Sequence, residues 1–165
     1  IILLVGSPSF PWSTSLEPLL IRKLPSPDRR FEVRLEPSDG NPWQITYASL
    51  SLSDMLLGQR IFGYRGLWSD CSRYFVIPEW RHADFSIIPD MHLLVIDAAE
   101  MKECVIARAK NGFIEPTRVQ NGTIRYNMFM QGMRERIGLE RKLSALTAWR
   151  PVSDSLPDAD DVLDQ

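Results

Sequence analysis

His92-Leu93-Leu94-Val95-Ile96-Asp97-Ala98-Ala99-Glu100-Met101-Lys102-Glu103-Cys104-Val105-Ile106-Ala107-Arg108-Ala109-Lys110-Asn111-Gly112 is the stretch on which the fold class turns. Its opening residues, His92 to Ile96, form a short apolar run that reads as a strand. Asp97 then stands where a helix N-cap would, Glu100 stands three residues on as in a capping box, and Asn111-Gly112 supplies a stop. The spacing therefore predicts a helix over Ala98 to Lys110 directly after the strand.

Downstream, Phe113 to Val119 and Thr123 to Tyr126 flank Gln120-Asn121-Gly122. Asn-Gly accepts the positive φ angles that a tight hairpin turn requires. Asn127 reads as a second cap, and Met130, Met133, Ile137, Leu143 and Leu146 recur at near-helical spacing, so a second helix is expected over Met128 to Trp149. Gly132 and Gly138 each cost about 1 kcal/mol in a helix interior and call for a bend there.

Upstream, Arg73 to Ile77 reads as a strand closed by Pro78, and Phe85 to Ile88 as a short one before the Pro89-Asp90 turn. Ile61 to Trp68 is aromatic-rich and strand-like, while Ser53-Asp54 reads as the cap of one helical turn to Gln59. Alternation at Phe31 to Leu35 and Gln44 to Leu50, with a turn at Ser38 to Asn41, predicts an antiparallel hairpin. Ile1 to Val5 reads as a buried strand, followed by a short helix capped at Thr14 or Ser15 and running through Leu24. The expected fold is α+β: one domain over residues 1–150 with a mostly antiparallel mixed sheet and two or three helices, then an extended acidic tail over 151–165.

The chain of 165 residues, 44% hydrophobic and 24% charged, is long enough to bury one core without metals or disulfides. Its longest apolar runs fall far short of the roughly 20 residues of a membrane-spanning helix, and no secretory signal is read at Ile1. With two cysteines, Cys71 and Cys104, the composition fits a reducing, cytoplasmic setting better than a disulfide framework. The net charge of −2 conceals an asymmetry. Residues 151–165 carry five acids and no base, whereas residues 102–150 carry ten Lys and Arg against four acids.

That basic stretch is the first candidate interface: Arg118, Arg125, Arg134, Arg136, Arg141 and Lys142, with Phe113, Tyr126 and Phe129 close in sequence, offer phosphate contacts and stacking surfaces. The competing reading is a solvated charged face, neutralised by the acids beyond Trp149. Cys71, His82, His92 and Cys104 would complete a zinc ligand set, but no two share the short loop that presents such ligands in pairs, so buried thiols and surface histidines are expected instead.

Three local resemblances bear on function. Ile1 to Val5 followed by Gly6-Ser7-Pro8-Ser9 resembles the flavodoxin-like reductases, which implies a phosphate-cradling loop; the later strands do not follow that family's alternation, and an ordinary strand and turn is the simpler reading. Pro89-Asp90 with Glu100-Met101-Lys102 resembles the PD-(D/E)xK metal-dependent nucleases, which implies that Asp90 and Glu100 hold Mg²⁺ and that Lys102 orients the attacking water. Trp149-Arg150-Pro151-Val152-Ser153-Asp154-Ser155-Leu156-Pro157, followed by acids and Val162-Leu163, resembles the opening of a small phage and prophage domain of unknown function, which implies a phage or bacterial origin and no catalytic residue.

Together these observations predict a non-enzymatic accessory protein without a cofactor, an inhibitor or assembly component that binds a protein partner and no membrane; the alternatives are a metal-dependent nuclease using Asp90, Glu100 and Lys102 and a nucleic-acid-binding module using the basic 102–150 region. The residues expected at the interface are Arg134, Arg136, Arg141, Lys142, Trp149, Asp158, Asp160 and Asp161.

Overall fold

The computed structural model describes residues 21–37, 46–63, 65–81 and 90–155. The readings at Ile1 to Val5, at the Thr14 or Ser15 cap, at Ser38 to Asn41 and at Phe85 to Ile88 lie outside these residues, as do His82, Asp158, Asp160 and Asp161.

The fold is built of strands, and the α+β expectation is corrected. Thirteen strands and one 3-10 turn make up the described regular structure: β1 Arg22–Pro25, β2 Glu32–Pro37, β3 Thr46–Leu52, β4 Met55–Leu57, β5 Ile61–Gly63, β6 Leu67–Trp68, β7 Tyr74–Trp80, β8 Met91–Asp97, β9 Lys102–Ala109, β10 Gly112–Gln120, β11 Thr123–Met130, β12 Ile137–Lys142 and β13 Arg150–Pro151. A ten-stranded sheet runs β1-β2-β3-β5-β7-β8-β9-β13, with β4 on β3 and β6 on β7; β10-β11-β12 form a second sheet. Every pairing is antiparallel.

At the centre lies β8, all seven of whose residues are buried. Side chains alternate across a strand, so Leu94 and Ile96 enter one core with Phe75, Ile77, Val33, Leu35, Leu57 and Phe62. Leu93 and Val95 enter a second core with Val76, Cys104, Ile114, Ile124 and Tyr126. The larger sheet curls until β2 to β5 cover one face of β7 and β8, while the three-stranded sheet covers the other. Burying one such Leu or Ile side chain contributes about 1.5–3 kcal/mol, and β8 does so on both sides.

The helix expected at Ala98 to Lys110 is instead a turn and the strand β9. Asp97 Oδ1 does accept the N–H groups of Ala99 and Glu100, each at 3.1 Å. That local bond closes a chain reversal rather than starting a helix, because Met101 has φ 50 and Lys102 to Ala109 pair along β8. The unpaired flank of β8 outweighs the cap: a strand beside it satisfies its backbone groups. Nor does Asn111-Gly112 stop a helix. It turns the chain into β10, where a Cβ on Gly112 would stand 2.2 Å from the Phe129 carbonyl oxygen.

The second expected helix, Met128 to Trp149, is the end of β11, a connection through Gly132 at φ 89, β12 and the 3-10 turn Leu143–Ala145. Ser53-Asp54 caps no helical turn; with φ 49 and 65 it makes the two-residue hairpin between β3 and β4. Leu24 lies on β1 rather than in a helix, and β7 continues through Pro78 to Trp80. The missing N–H of Pro78 is tolerated there because the residue falls between the stretches of β7 that pair with β5 and with β6. Both expected hairpins form: β2 pairs β3, and Asn121 and Gly122, at φ 51 and 67, turn β10 into β11.

Gly112→Ala is expected to lower unfolding stability by about 1–3 kcal/mol through the clash with the β11 backbone. Gly58→Ala, whose Cβ would meet nothing nearer than 3.9 Å, is expected to stay within about 0.5 kcal/mol of the parent. Urea unfolding of the two variants side by side checks the close approach.

Candidate functional site

Along β12 every residue is exposed. The register places Ile137 opposite Met128, Leu139 opposite Tyr126 and Arg141 opposite Ile124, and directly opposed residues share a sheet face. The apolar face of the small sheet therefore continues onto β12. Ile137 and Leu139 stay 41% and 39% exposed. Lys142 and Glu140 stand on the other face, opposite Thr123 and Arg125, and Glu140 pairs with Arg125 at 3.4 Å.

Arg141 and Lys142, expected on a helix side, thus flank two apolar side chains on an open strand edge. Arg134 is exposed in the connection just before β12. Arg136 lies at that connection's end, with Nη1 3.9 Å from Glu115 Oε2. Trp149 is half-buried: its indole N–H donates to the Leu146 carbonyl at 3.0 Å and its ring packs 6.1 Å from that of Tyr74. It belongs to the core margin more than to the basic surface.

The nuclease-like residues are not brought together. Asp90 and Glu100 lie beyond opposite ends of β8, roughly 20 Å of extended chain apart. Asp90 accepts the Asn111 N–H at 2.7 Å and stands 3.5 Å from Arg108, while Glu100 and Lys102 pair with each other at 2.7 Å in the open. The thiol and imidazole groups also diverge. Cys71 is exposed in a turn, with Sγ 3.2 Å from Ser69 Oγ. Cys104 is buried in the core beneath the small sheet, and alternation along β8 puts His92 on the opposite face. Among the described residues no three His, Cys, Asp or Glu side chains gather as a metal would require.

What the sequence did not disclose is a buried ionic network at one end of the first core. The Arg60 side chain is 0% exposed. Its Nε and Nη2 donate to Glu79 Oε1 and Oε2 at 2.6 and 3.0 Å, and Nη1 donates to Glu103 Oε2 at 2.6 Å and to the Ser153 carbonyl at 2.8 Å. Glu103 Oε1 in turn accepts from Arg150 Nε at 3.0 Å. Burial opposes the charge on Arg60, but its bonds to Glu79 and Glu103 and the fields of both glutamates outweigh it and raise its pKa above the ordinary value.

His92 sits between Glu79 and Arg108 in the strand register, 1% exposed. Its Nδ1 has no hydrogen-bond partner among the described residues. Burial, with the positive fields of Arg81, Arg108 and Arg150, holds its pKa down to about 4. Arg81 feels the same crowding: burial first, then Arg60, Arg150 and Arg108, lower its pKa in spite of Glu79. The carboxylate oxygens of both glutamates accept from guanidinium donors. The network's visible role is to fix residues 150–154, where Val152 enters the core and Asp154 accepts the Gln59 N–H at 2.8 Å.

No helix among the described residues is long and apolar enough to cross a membrane. Comparison with protein-family models, with curated proteins and with solved structures finds no match.

Two measurements test the network. Because the folded pKa of His92 lies below that of the unfolded chain, the unfolded state binds the extra proton between about pH 4 and 6.5. The contribution of neutral His92 is complete above pH 6.5, and about 3 kcal/mol is lost as pH falls towards 4. Unfolding stability measured across this range should lose most of that slope in His92→Leu. Glu79→Gln, which leaves Arg60 short of a charged partner, is expected to cost about 3–5 kcal/mol at pH 7 by urea unfolding.

Proposed function

We propose that this chain is a non-enzymatic accessory protein of the cytoplasm, an inhibitor or assembly component of a phage or bacterium, and that it binds a protein partner by accepting an extended segment beside β12. The observation that carries the reading is the edge itself: six consecutive exposed residues that present Ile137 and Leu139 between Arg134 and Arg136 on one side and Arg141 and Lys142 on the other. An added strand would hydrogen-bond to the side of β12 that no described strand pairs, and its alternate side chains would reach the two faces. The chemistry that fits is apolar residues against Ile137 and Leu139, with Asp or Glu against the basic ends.

A polypeptide suits this surface better than a nucleic acid. Two of its large side chains are aliphatic and offer no stacking plane, and Glu140 interrupts the positive charge at its centre. The separation of Asp90 from Glu100 and Lys102 removes the support for the nuclease reading.

Selection of a random ten-residue peptide library on the immobilised full chain tests the proposal. Enrichment of segments that alternate apolar and acidic residues is expected, with affinity for a selected peptide falling at least about tenfold, ~1.4 kcal/mol, in Leu139→Lys. The proposal fails if selected peptides bind Leu139→Lys as well as the parent. It fails equally if single-stranded oligonucleotides bind more tightly than any peptide and weaken steeply as salt is raised.

A further inference from the structure

We propose that the extended segment accepted by β12 is β12 of a second copy of this chain, the two strands pairing antiparallel about a two-fold axis at Gly138. This rests on the reading of β12 as a strand-accepting edge and names its partner.

The pairing with β11 fixes which backbone groups of β12 face outward. The Leu143 N–H donates to the Gly122 carbonyl at 2.8 Å, and these two residues continue the regular register in which Lys142 opposes Thr123. Bonding and non-bonding pairs alternate along an antiparallel ladder. Ile137, Leu139 and Arg141 therefore turn their N–H and C=O groups towards β11. Gly138 and Glu140 turn theirs to the side that no described strand pairs. A second β12 bonds there only where outward-turned residues oppose one another, so a symmetric pair is centred on a residue and joins like face to like face.

In one such register the strand is its own complement. Arg136-Ile137-Gly138-Leu139-Glu140, set against itself about Gly138, opposes Arg136 to the second copy's Glu140 and Ile137 to its Leu139, each pair occurring twice. Opposite charges and apolar side chains directly opposed stabilise a sheet. The apolar pairs also extend existing rows. Ile114, Met128 and Ile137 lie side by side in one copy, and Leu139 and Tyr126 of the second carry that row across the axis. The other registers lose the match. Centred on Leu139, the pairing opposes Arg136 to Lys142; centred on Arg136, Glu140, Arg141 or Lys142, it opposes like charges on the axis itself; centred on Ile137, it sets Leu139 against Glu135. About Gly138, the Arg141 and Lys142 of the two copies lie at opposite ends of the interface. The one like pair, Arg134 with Lys142, falls before the strand begins and next to the opposite pair of Glu135 with Arg141.

Sedimentation equilibrium of the full chain up to about 1 mM, the range of a small transient interface, is expected to show a monomer–dimer equilibrium. Arg136→Glu and Glu140→Arg each turn both ion pairs into like-charge pairs, and each variant is expected to dimerise at least about tenfold more weakly. Mixed in equal amounts, the two variants oppose every charge to its opposite again, and dimer of parent affinity should return. In the parent, amide exchange at Gly138 and Glu140 should slow as concentration rises, while that at Leu139, bonded to β11, stays constant. A parent monomeric throughout, single variants that dimerise like the parent, or a mixture that stays monomeric would overturn the inference. Gly138→Pro, which withdraws an outward N–H from an edge strand, separates this inference from the reading beneath it. A dimer that Gly138→Pro does not weaken forms elsewhere and overturns the inference. Library peptides that bind a monomeric parent and lose affinity in Gly138→Pro leave strand addition standing and remove only the second copy; peptides that bind Gly138→Pro as well as the parent remove strand addition itself.

Discussion

Burial of β7 and β8 on both faces is the constraint from which the rest of the architecture follows. A strand covered on one side can belong to a simple sandwich, with polar residues alternating outward. Here Phe75, Ile77, Leu94 and Ile96 need one cover while Val76, Leu93 and Val95 need another. The chain supplies the first by curling its N-terminal strands back over the sheet and the second by folding β10 to β12 into a separate sheet. Trp68 ties down the first cover: its indole N–H donates to the Leu24 carbonyl at 2.8 Å, while its ring packs against Phe31 and Phe75.

Among the described residues double burial leaves charge inside only at the ends of β8: at one, Asp97, 4% exposed, pairs with Arg73 at 2.6 Å, and at the other lies the larger network. Towards the Met91 end of β8 the apolar sequence on the first face gives way to Glu79, His92 and Arg108, which are neighbours across three strands. Charges there must be paired or neutral. Arg60 and Glu79 are held by two parallel bonds, Glu103 is shared between Arg60 and Arg150, and His92 stays neutral over the ordinary pH range. Replacing such a network with apolar residues of equal volume is often neutral for stability. Its structural consequence is specificity of assembly: the residue before β5, the β7 and β9 strands and the segment at Ser153 satisfy one another only when all four are in place.

The sequence disclosed the elements whose turns carry their own chemistry. Asn121-Gly122 announced β10 and β11, and the alternation in Phe31 to Leu35 announced β2. It misled where a local signal and a distant one conflicted. Asp97 and Glu100 have the residue types and spacing of a helix start, and Asp97 indeed accepts the backbone bonds of such a start; what overrides it is the bare flank of β8, which no local window shows. Met130, Met133 and Ile137 matched helical spacing through a short run in which strand and helix periods are hard to tell apart, and the two glycines were the better guide. The basic candidates Arg134, Arg136, Arg141 and Lys142 were legible as charge, but not as the surroundings of an open edge. The ionic network was not legible at all, since Arg60, Glu79, Glu103 and Arg150 are widely spaced in sequence and charged residues ordinarily face solvent.

The small sheet has two edges, and the chain treats them differently. β10 carries Pro116 and a register irregularity between Pro116 and Arg118, both of which blunt an edge against pairing with another strand. It also lies over β6, β7 and β8, with Glu115 held by Arg65 at 2.7 Å. β12 has no proline and no irregularity in its pairing with β11, and all its residues are exposed. Its protection is electrostatic: Arg141 and Lys142 repel basic or charge-matched strands and leave acidic ones unopposed. An edge guarded by charge of one sign is selective rather than closed, and Ile137 and Leu139 give a strand of the right sign an apolar surface to cover. On the proposed reading of β12, the same basic residues that made the sequence look suited to a polyanion would act as a filter on which polypeptide can complete the sheet.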